Sequence, residues 1–294
     1  MRASERAQLG KGLSFLSPWL VGFLLFTLLP VGLSFYYSLC DYSLLQPPLF
    51  VGADNYRDLA RDPVFWQSLR NTFVYALLAL PAGMAVSLGM ALLLNAPIRG
   101  QAVYRTIIFL PSLVPAVASA MLWLWLFNAK LGLINNLLGA VGIPGPGWLT
   151  TPEWALPALA LMSLWGVGHT VVIYLAGLQD VPRELHEAAE LDGALAGARL
   201  RHVTLPMISP VIFFNLVMAI IGTFQVFSIP YIMTQGGPAR ATYFYTMYLY
   251  DNAFSYLKMG YASAMAWIQL LVILALTGLA FWSSRRWVHY QGGK

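Results

Sequence analysis

The sequence predicts an all-α integral membrane protein with six transmembrane helices, and three observations predict it. Hydrophobic residues make up 59% of the 294 positions and charged residues only 10%, against roughly 45–50% and about 25% in ordinary soluble domains. The apolar residues fall in long uninterrupted runs, each close to the ~20 residues that a helix needs to cross a hydrocarbon core about 30 Å thick. Lysines and arginines sit between the runs, and they favour alternate segments.

The runs lie at about 13–39, 71–95, 106–128, 154–178, 207–232 and 261–283. The first follows Arg2, Arg6 and Lys11, which is also how a signal peptide begins. It is about twice the length of a usual signal core and lacks a small-residue cleavage site, so it reads as a retained span. Pro111, Pro115, Pro157 and Pro210 fall in or near spans, where neighbouring groups can re-satisfy the freed carbonyls. Trp19, Tyr36, Tyr37, Trp123, Trp125, Trp154, Trp282 and Trp287 gather near span ends, as in an interfacial aromatic belt. No internal repeat or low-complexity tract interrupts the series, so residues 1–294 read as one transmembrane domain. Residues 239–258 carry aromatics at near-helical spacing and read as a surface segment.

With the N-terminus inside, the inner segments hold Arg2, Arg6, Lys11, Arg99, Arg105, Arg183, Arg199, Arg201, Arg285, Arg286 and Lys294. The outer ones hold Arg57, Arg61, Arg70, Lys130, Arg240 and Lys258. Eleven against six places both termini and the segment 179–206 in the cytoplasm. The net charge of +5 is thereby explained by topology rather than by nucleic acid. A single cysteine, Cys40, excludes an intrachain disulfide and a cysteine-built zinc cluster. There is no G-x-x-x-x-G-K-[ST] phosphate loop; "LGKGLS" lacks the spacing.

Against this apolar background, "ELHEAAELDGALAG" concentrates Glu184, Glu187, Glu190 and Asp192 in one cytoplasmic loop. Pro182 suits a first helical turn, Leu185, Ala188, Ala189 and Leu191 form a small apolar face, and Gly193 reads as a left-handed stop. A second short helix runs to about Val203. The loop is a compact helix–turn–helix knob whose small residues permit close approach and whose carboxylates can accept hydrogen bonds. The same features also fit a solvated loop of any membrane protein.

"ELHEAAELDGALAGARLRHVTLPMISP" resembles the EAA loop of ABC-importer permeases. Glu187, Ala188, Ala189, Asp192, Gly193, Ala194, Leu205, Pro206 and Pro210 match its pattern, whereas Gly197 and Leu200 stand where bulky aromatics are usual. "VGADNYRDLARDPVFWQSLRNTFVYALL", "YRTIIFLPSLVPAVASAMLWLWLFN", "TQGGPARAT" and "MGYASAMAW" extend the resemblance to the maltose and glycerol-phosphate branch over nearly the whole chain. The resemblance implies a type I ABC-importer permease fold in the bacterial or archaeal inner membrane. It implies that 179–206 is a coupling helix, with Glu187, Ala188, Ala189, Asp192, Gly193, Leu205 and Pro206 contacting an ATPase. The implied partners are a second homologous permease, two cytoplasmic ATPase subunits that carry the ATP and Mg, and a periplasmic or lipid-anchored sugar-binding protein. No cofactor or metal is expected on this chain, and no enzymatic activity.

Polar groups inside spans usually face a cavity or another helix. The fourth run holds Trp165, His169 and Thr170, the fifth Asn215, Thr223, Gln225 and Ser228, and the sixth Gln269. At ~1.5 Å per residue His169 and Thr223 fall near the midplane. Trp165 and His169, four apart, and Thr223 and Val226, three apart, are expected to share helix faces that line one cavity. By resemblance, sugar contacts of maltose-type permeases fall on Trp165, Gly166, His169, Gly222, Thr223 and Val226, and Gln225 is a further polar candidate. Any of them could equally bond to a neighbouring helix. No Lys or Arg lies within a span, which favours a neutral saccharide over glycerol phosphate. A stand-alone secondary transporter or channel would lack the knob and would need more ionisable groups in its spans. A membrane enzyme would need converging catalytic groups, which are not present.

Overall fold

The structure is a computed structural model that describes residues 3–97 and 99–289, with side chains from residue 11 onward. Arg2 and Lys294, counted in the charge asymmetry, lie outside the described residues, as does the side chain of Arg6. The chain divides into two compact units, Met1–Asp62 with Leu249–Leu270 and Pro63–Tyr248 with Leu271–Lys294. Both are helical. The one sheet among the described residues is an antiparallel pair, Cys40–Asp41 with Leu49–Phe50.

In the first unit the helix Lys11–Ser38 is 28 residues long. It widens to a π-turn at Leu24–Leu28, just before Pro30, whose missing N–H leaves the Phe26 carbonyl without its usual donor. The helix end is tied down by side chains. Asn55 donates to the carbonyls of Ser38 and Cys40 at 2.9 and 2.8 Å, and the Tyr56 hydroxyl donates to Ser38 Oγ at 2.8 Å. Both come from the short helix Asp54–Arg61. The start of Met259–Ser284 closes on the same point. The Gly260 N–H donates to the Tyr42 carbonyl at 3.1 Å, and the Tyr261 hydroxyl donates to Asp62 at 2.7 Å. Phe35 meets Trp267 edge-on at 5.0 Å.

The second unit is built on Pro63–Asn95, a helix of 33 residues and thus about 50 Å long. It starts before the expected residue 71 because Gln67, Ser68 and Arg70 continue the helix beyond the apolar run. Ser68, Thr72, Tyr75, Ala76, Ala79, Ser87, Ala91 and Leu94 form its buried stripe. Pro152–Ser163, Gly168–Gln179 and Ser209–Phe224 pack against it.

Two of the expected continuous spans are bent. Gln101–Leu113 and Ala116–Leu126 meet at 98°, and Pro152–Gly166 and Gly168–Gln179 at 51°. In the first, Pro115 pushes Val114 into the extended region at ψ 128°, as a residue before proline prefers. In the second, the helix tightens to a 3₁₀ turn at Leu164–Gly166 and breaks at Val167. Among the described residues four helices are long and apolar enough to cross a membrane, or up to six if each bent pair counts as one. The fifth run also departs from expectation, since its helix ends at Phe224 and resumes at Ser228.

The loop after Met233 is strongly determined. Gln235, Ala239 and Arg240 have left-handed backbone, the Gly237–Pro238 bond is cis, and Gly236 at φ +83° would place a Cβ 2.6 Å from the Tyr243 ring. Asn71 donates to the carbonyls of Arg240 and Tyr243 at 2.7 and 3.2 Å. Thr72 Oγ1 accepts from the Tyr245 N–H at 3.0 Å. Burial pushes the Tyr245 phenol above its ordinary pKa. The aromatics at 239–258 continue into a helix, Tyr245–Tyr250, and a π-turn, Asp251–Ser255.

A Cβ at Gly260 would lie 2.0 Å from the Cys40 carbonyl oxygen, whereas one at Gly278 would meet no atom within 4 Å. Gly260→Ala is expected to destabilise the chain by about 1–3 kcal/mol through overpacking. Gly278→Ala should be neutral or slightly stabilising, because glycine is a poor residue for a helix interior. Thermal unfolding in detergent, with folded yield, checks both.

Candidate functional site

The knob and a midspan cavity are the two candidate sites. In the knob, Arg183–Leu191 is a helix preceded by Pro182 in extended conformation. Pro182 therefore precedes the first turn rather than entering it. The helix ends as expected. Gly193 has φ +77°, its N–H donates to the Glu190 carbonyl at 3.0 Å, and the Ala194 N–H donates to Ala189 at 2.9 Å. This pair of bonds is a Schellman closure, which a left-handed residue at Gly193 makes possible.

Ala196–Arg199 and a π-turn, Leu200–Thr204, form the second limb. An ion pair between Arg199 and Glu190 joins the two limbs. No atom lies within 4 Å of a Cβ built at Gly197, so the absence of a bulky residue there leaves that side of the knob open.

Glu187, Ala188, Asp192 and Gly193 are exposed, Ala189 is half-buried, and Leu205 and Pro206 are half-buried in the stem. The tip carries two exposed leucines, Leu191 at 90% and Leu195 at 81%. The stem enters the core on both sides. Val181 and Ile208 are buried in one cluster with Tyr174, Leu175 and Leu178, so the knob is fixed to the ends of Gly168–Gln179 and Ser209–Phe224.

Those two helices, with Pro63–Asn95 and the end of Pro152–Ser163, line a half-open cavity of about 350 Å³. Its polar lining is Tyr75, Ser163, Thr170, Asn215 and Thr223, and its apolar lining includes Ala79, Met84, Phe214 and Met218. No charged residue lines it. Of the sequence-predicted pathway residues, Thr223 is the one that lines it.

The expected shared faces are not formed. Trp165 lies in the 3₁₀ turn and His169 beyond the break, so i,i+4 spacing does not stack them. Trp165 meets Trp123 edge-on at 6.2 Å and borders a separate apolar cleft with Pro111 and Leu161. His169 is exposed and tilted on Phe109 at 5.1 Å. Val226 falls past the end of the fifth helix and packs on the core. Gly166, Gly222 and Gln225 are exposed. Tyr75 and Ser163 were missed in the sequence, where a tyrosine in an aromatic-rich run and a lone serine carry no distinguishing signal. Among the described residues no cluster of His, Cys, Asp or Glu could hold a metal.

Knob, bent spans and cavity together define a solute-transport component of the membrane, and sequence comparison gives its family. Residues 63–289 match the family described as binding-protein-dependent transport system inner membrane component, and the chain belongs to it. It is 42% identical over 285 residues to the probable ABC transporter permease protein YesP of Bacillus subtilis (strain 168), covering 95% of this chain and 92% of that one. It is 35% identical over 253 residues to the sulfoquinovosyl glycerol transport system permease protein SmoG of Agrobacterium fabrum, covering 85% and 82%. The fold is similar to a chain of the bacterial alginate ABC transporter crystallised with an alginate pentasaccharide-bound periplasmic protein. The TM-score is 0.84 at 24% identity, covering 97% of this chain and 98% of that one.

The knob's closure generates a direct expectation. Gly193→Val forces a β-branched residue into a left-handed turn and should open it, whereas Gly193→Asn, which tolerates that region, should not. Limited proteolysis across 191–195 should be faster in the valine variant and close to the parent in the asparagine variant.

Proposed function

We propose that this chain is one of two permease subunits of an ATP-driven, binding-protein-dependent importer of a saccharide or glycoside. Family membership supports the transport role, and the named cargo of SmoG supports the substrate class. The observation that carries the coupling reading is the knob. It is a polar, closed helix–turn–helix whose stem is buried against the ends of the two helices that line the cavity.

ATPase subunits dock on Glu187, Ala188, Ala189, Asp192 and Gly193, with Leu205 and Pro206 carrying the displacement into the spans. The ATP and Mg reside on those subunits. The second permease faces Gly166, His169, Gly222 and Gln225 and completes the pathway. Trp165, Thr223 and Val226 contribute from this side, and a periplasmic or lipid-anchored binding protein delivers the cargo. The cavity's hydroxyls and amide suit sugar hydroxyls, and its uncharged lining favours a neutral saccharide over glycerol phosphate, which would be expected to meet a cation.

Both termini and the knob lie in the cytoplasm, and the loops at 40–70, 129–153 and 233–260 outside, on the Lys/Arg asymmetry. Leu45 is 81% exposed and Arg285 is exposed, while the native Cys40 is fully buried. Leu45→Cys should react with an impermeant thiol reagent from outside and Arg285→Cys from inside. Labelling of both from one side overturns the orientation.

Transport measured in proteoliposomes with the native ATPase, partner permease and binding protein tests the rest. Glu187→Ala should lower ATPase association, or uncouple hydrolysis from uptake, by about tenfold or more, as for loss of a charge-assisted bond. Tyr75→Phe and Thr223→Val should lower sugar uptake per assembled complex by about threefold to tenfold, since each removes a hydroxyl. Trp165→Ala should lower it further through lost aromatic contact. Unchanged uptake per complex in Tyr75→Phe and Thr223→Val removes the cavity from the pathway, and unchanged uptake in Trp165→Ala removes the separate cleft, while both leave the coupling reading intact.

A further inference from the structure

A second cleft, of about 210 Å³, lies between Gln101–Phe109 and Gly168–Gln179. The helices approach closely at its base, where a Cβ on Gly168 would lie 2.9 Å from the Ile108 carbonyl oxygen. Of its ten lining residues only Arg105 and Gln179 have polar side chains. Leu94, Val171 and Leu175, all buried, form the floor. The cleft opens along Val172, Ala176 and Gln179, one exposed stripe of the helix.

Arg105 is the anomaly. Its Nε is buried and donates to nothing. Arg105 takes part in neither of the ion pairs formed among the described residues. A buried guanidinium N–H without an acceptor is costly, and guanidinium is the side chain best matched to phosphate oxygens. The free donor therefore calls for an anionic acceptor, and the apolar walls call for one that carries hydrocarbon. Arg105 opens the third span and Gln179 closes the fourth, so in the proposed orientation both lie at the cytoplasmic leaflet, where anionic lipids gather and basic pockets between helices hold their headgroups.

We infer that this cleft is a binding site for an anionic phospholipid, whose headgroup phosphate accepts from Arg105 and Gln179 while its chain lies along Val172. The inference rests on the orientation but not on the cargo or the ATPase docking, so transport can fail as proposed and the lipid site still stand.

Native mass spectrometry of the delipidated, intact transporter, re-supplied with phosphatidylglycerol or phosphatidylcholine, tests it. The parent should retain phosphatidylglycerol in preference to phosphatidylcholine. Arg105→Gln should lower its occupancy by about tenfold, as expected for one charge-assisted hydrogen bond. Val172→Trp keeps the cation, fills the mouth from an exposed position and should lower occupancy as well. Arg99→Gln, an exposed arginine outside the cleft, should leave it unchanged. Equal retention of phosphatidylglycerol in the parent, Arg105→Gln and Val172→Trp overturns the site, as does equal retention of the two lipids by the parent. Displacement of phosphatidylglycerol by excess inorganic phosphate would mark a free-anion pocket and overturn the lipid assignment.

Discussion

Close packing of small side chains along Pro63–Asn95 is the constraint on which the second unit depends. In lipid, helices gain little from burying apolar surface against one another, and association rests on van der Waals contact and hydrogen bonds between closely approaching backbones. Ala76, Ala79, Ser87 and Ala91 are small enough for three other helices to lie against one face. Ser87 returns its hydroxyl to the Gly83 carbonyl at 2.6 Å, so its polar atom is satisfied within its own helix. Tyr75, Phe214 and Met218 line the cavity between the same helices.

The knob is anchored in that packing. Its tip is exposed, carries Leu191 and Leu195 beside its carboxylates, and is closed by the hydrogen bonds around Gly193, while its stem contributes Val181 and Ile208 to a cluster that includes Tyr174 and Leu178. Dense interiors transmit displacement rather than absorb it. Val181 and Ile208 thereby join the knob to the ends of Gly168–Gln179 and Ser209–Phe224, and both helices line the cavity; under the proposed coupling, a force on the knob would reach them. The break at Val167 divides the Pro152–Gln179 pair, whose halves meet at 51°.

Much of the fold was legible because the bilayer makes sequence simple. A spanning segment must be helical and apolar to satisfy its backbone, so each run marked helical chain, although the second helix begins at Pro63 rather than 71 and the third, fourth and fifth runs are interrupted. The knob was legible for a different reason. Its structure is local, set by Pro182, the i,i+3 and i,i+4 spacing and a glycine that can turn left-handed, and each of these acts within a few residues. The Arg199–Glu190 ion pair was less so, since it depends on how the second limb folds back.

Tertiary structure decided the site. Helical spacing assigns Trp165 and His169 to one face only if the helix between them is regular, and the 3₁₀ turn and break at 164–167 make it irregular. The same holds for Thr223 and Val226, separated by the helix end at Phe224. Which prolines bend a span is also a packing outcome. Pro157 remains inside a helix, while Pro115 marks a bend of 98°, and both stand in equally apolar sequence. The sequence by itself determined composition-driven features, namely the helices, the lipid setting and the local turn of the knob, because those follow from solvent and short-range backbone chemistry. Only the tertiary structure could bring Tyr75, Ser163, Thr170, Asn215 and Thr223 around one cavity and leave Arg105 without an acceptor, because those depend on contacts between residues far apart in the chain.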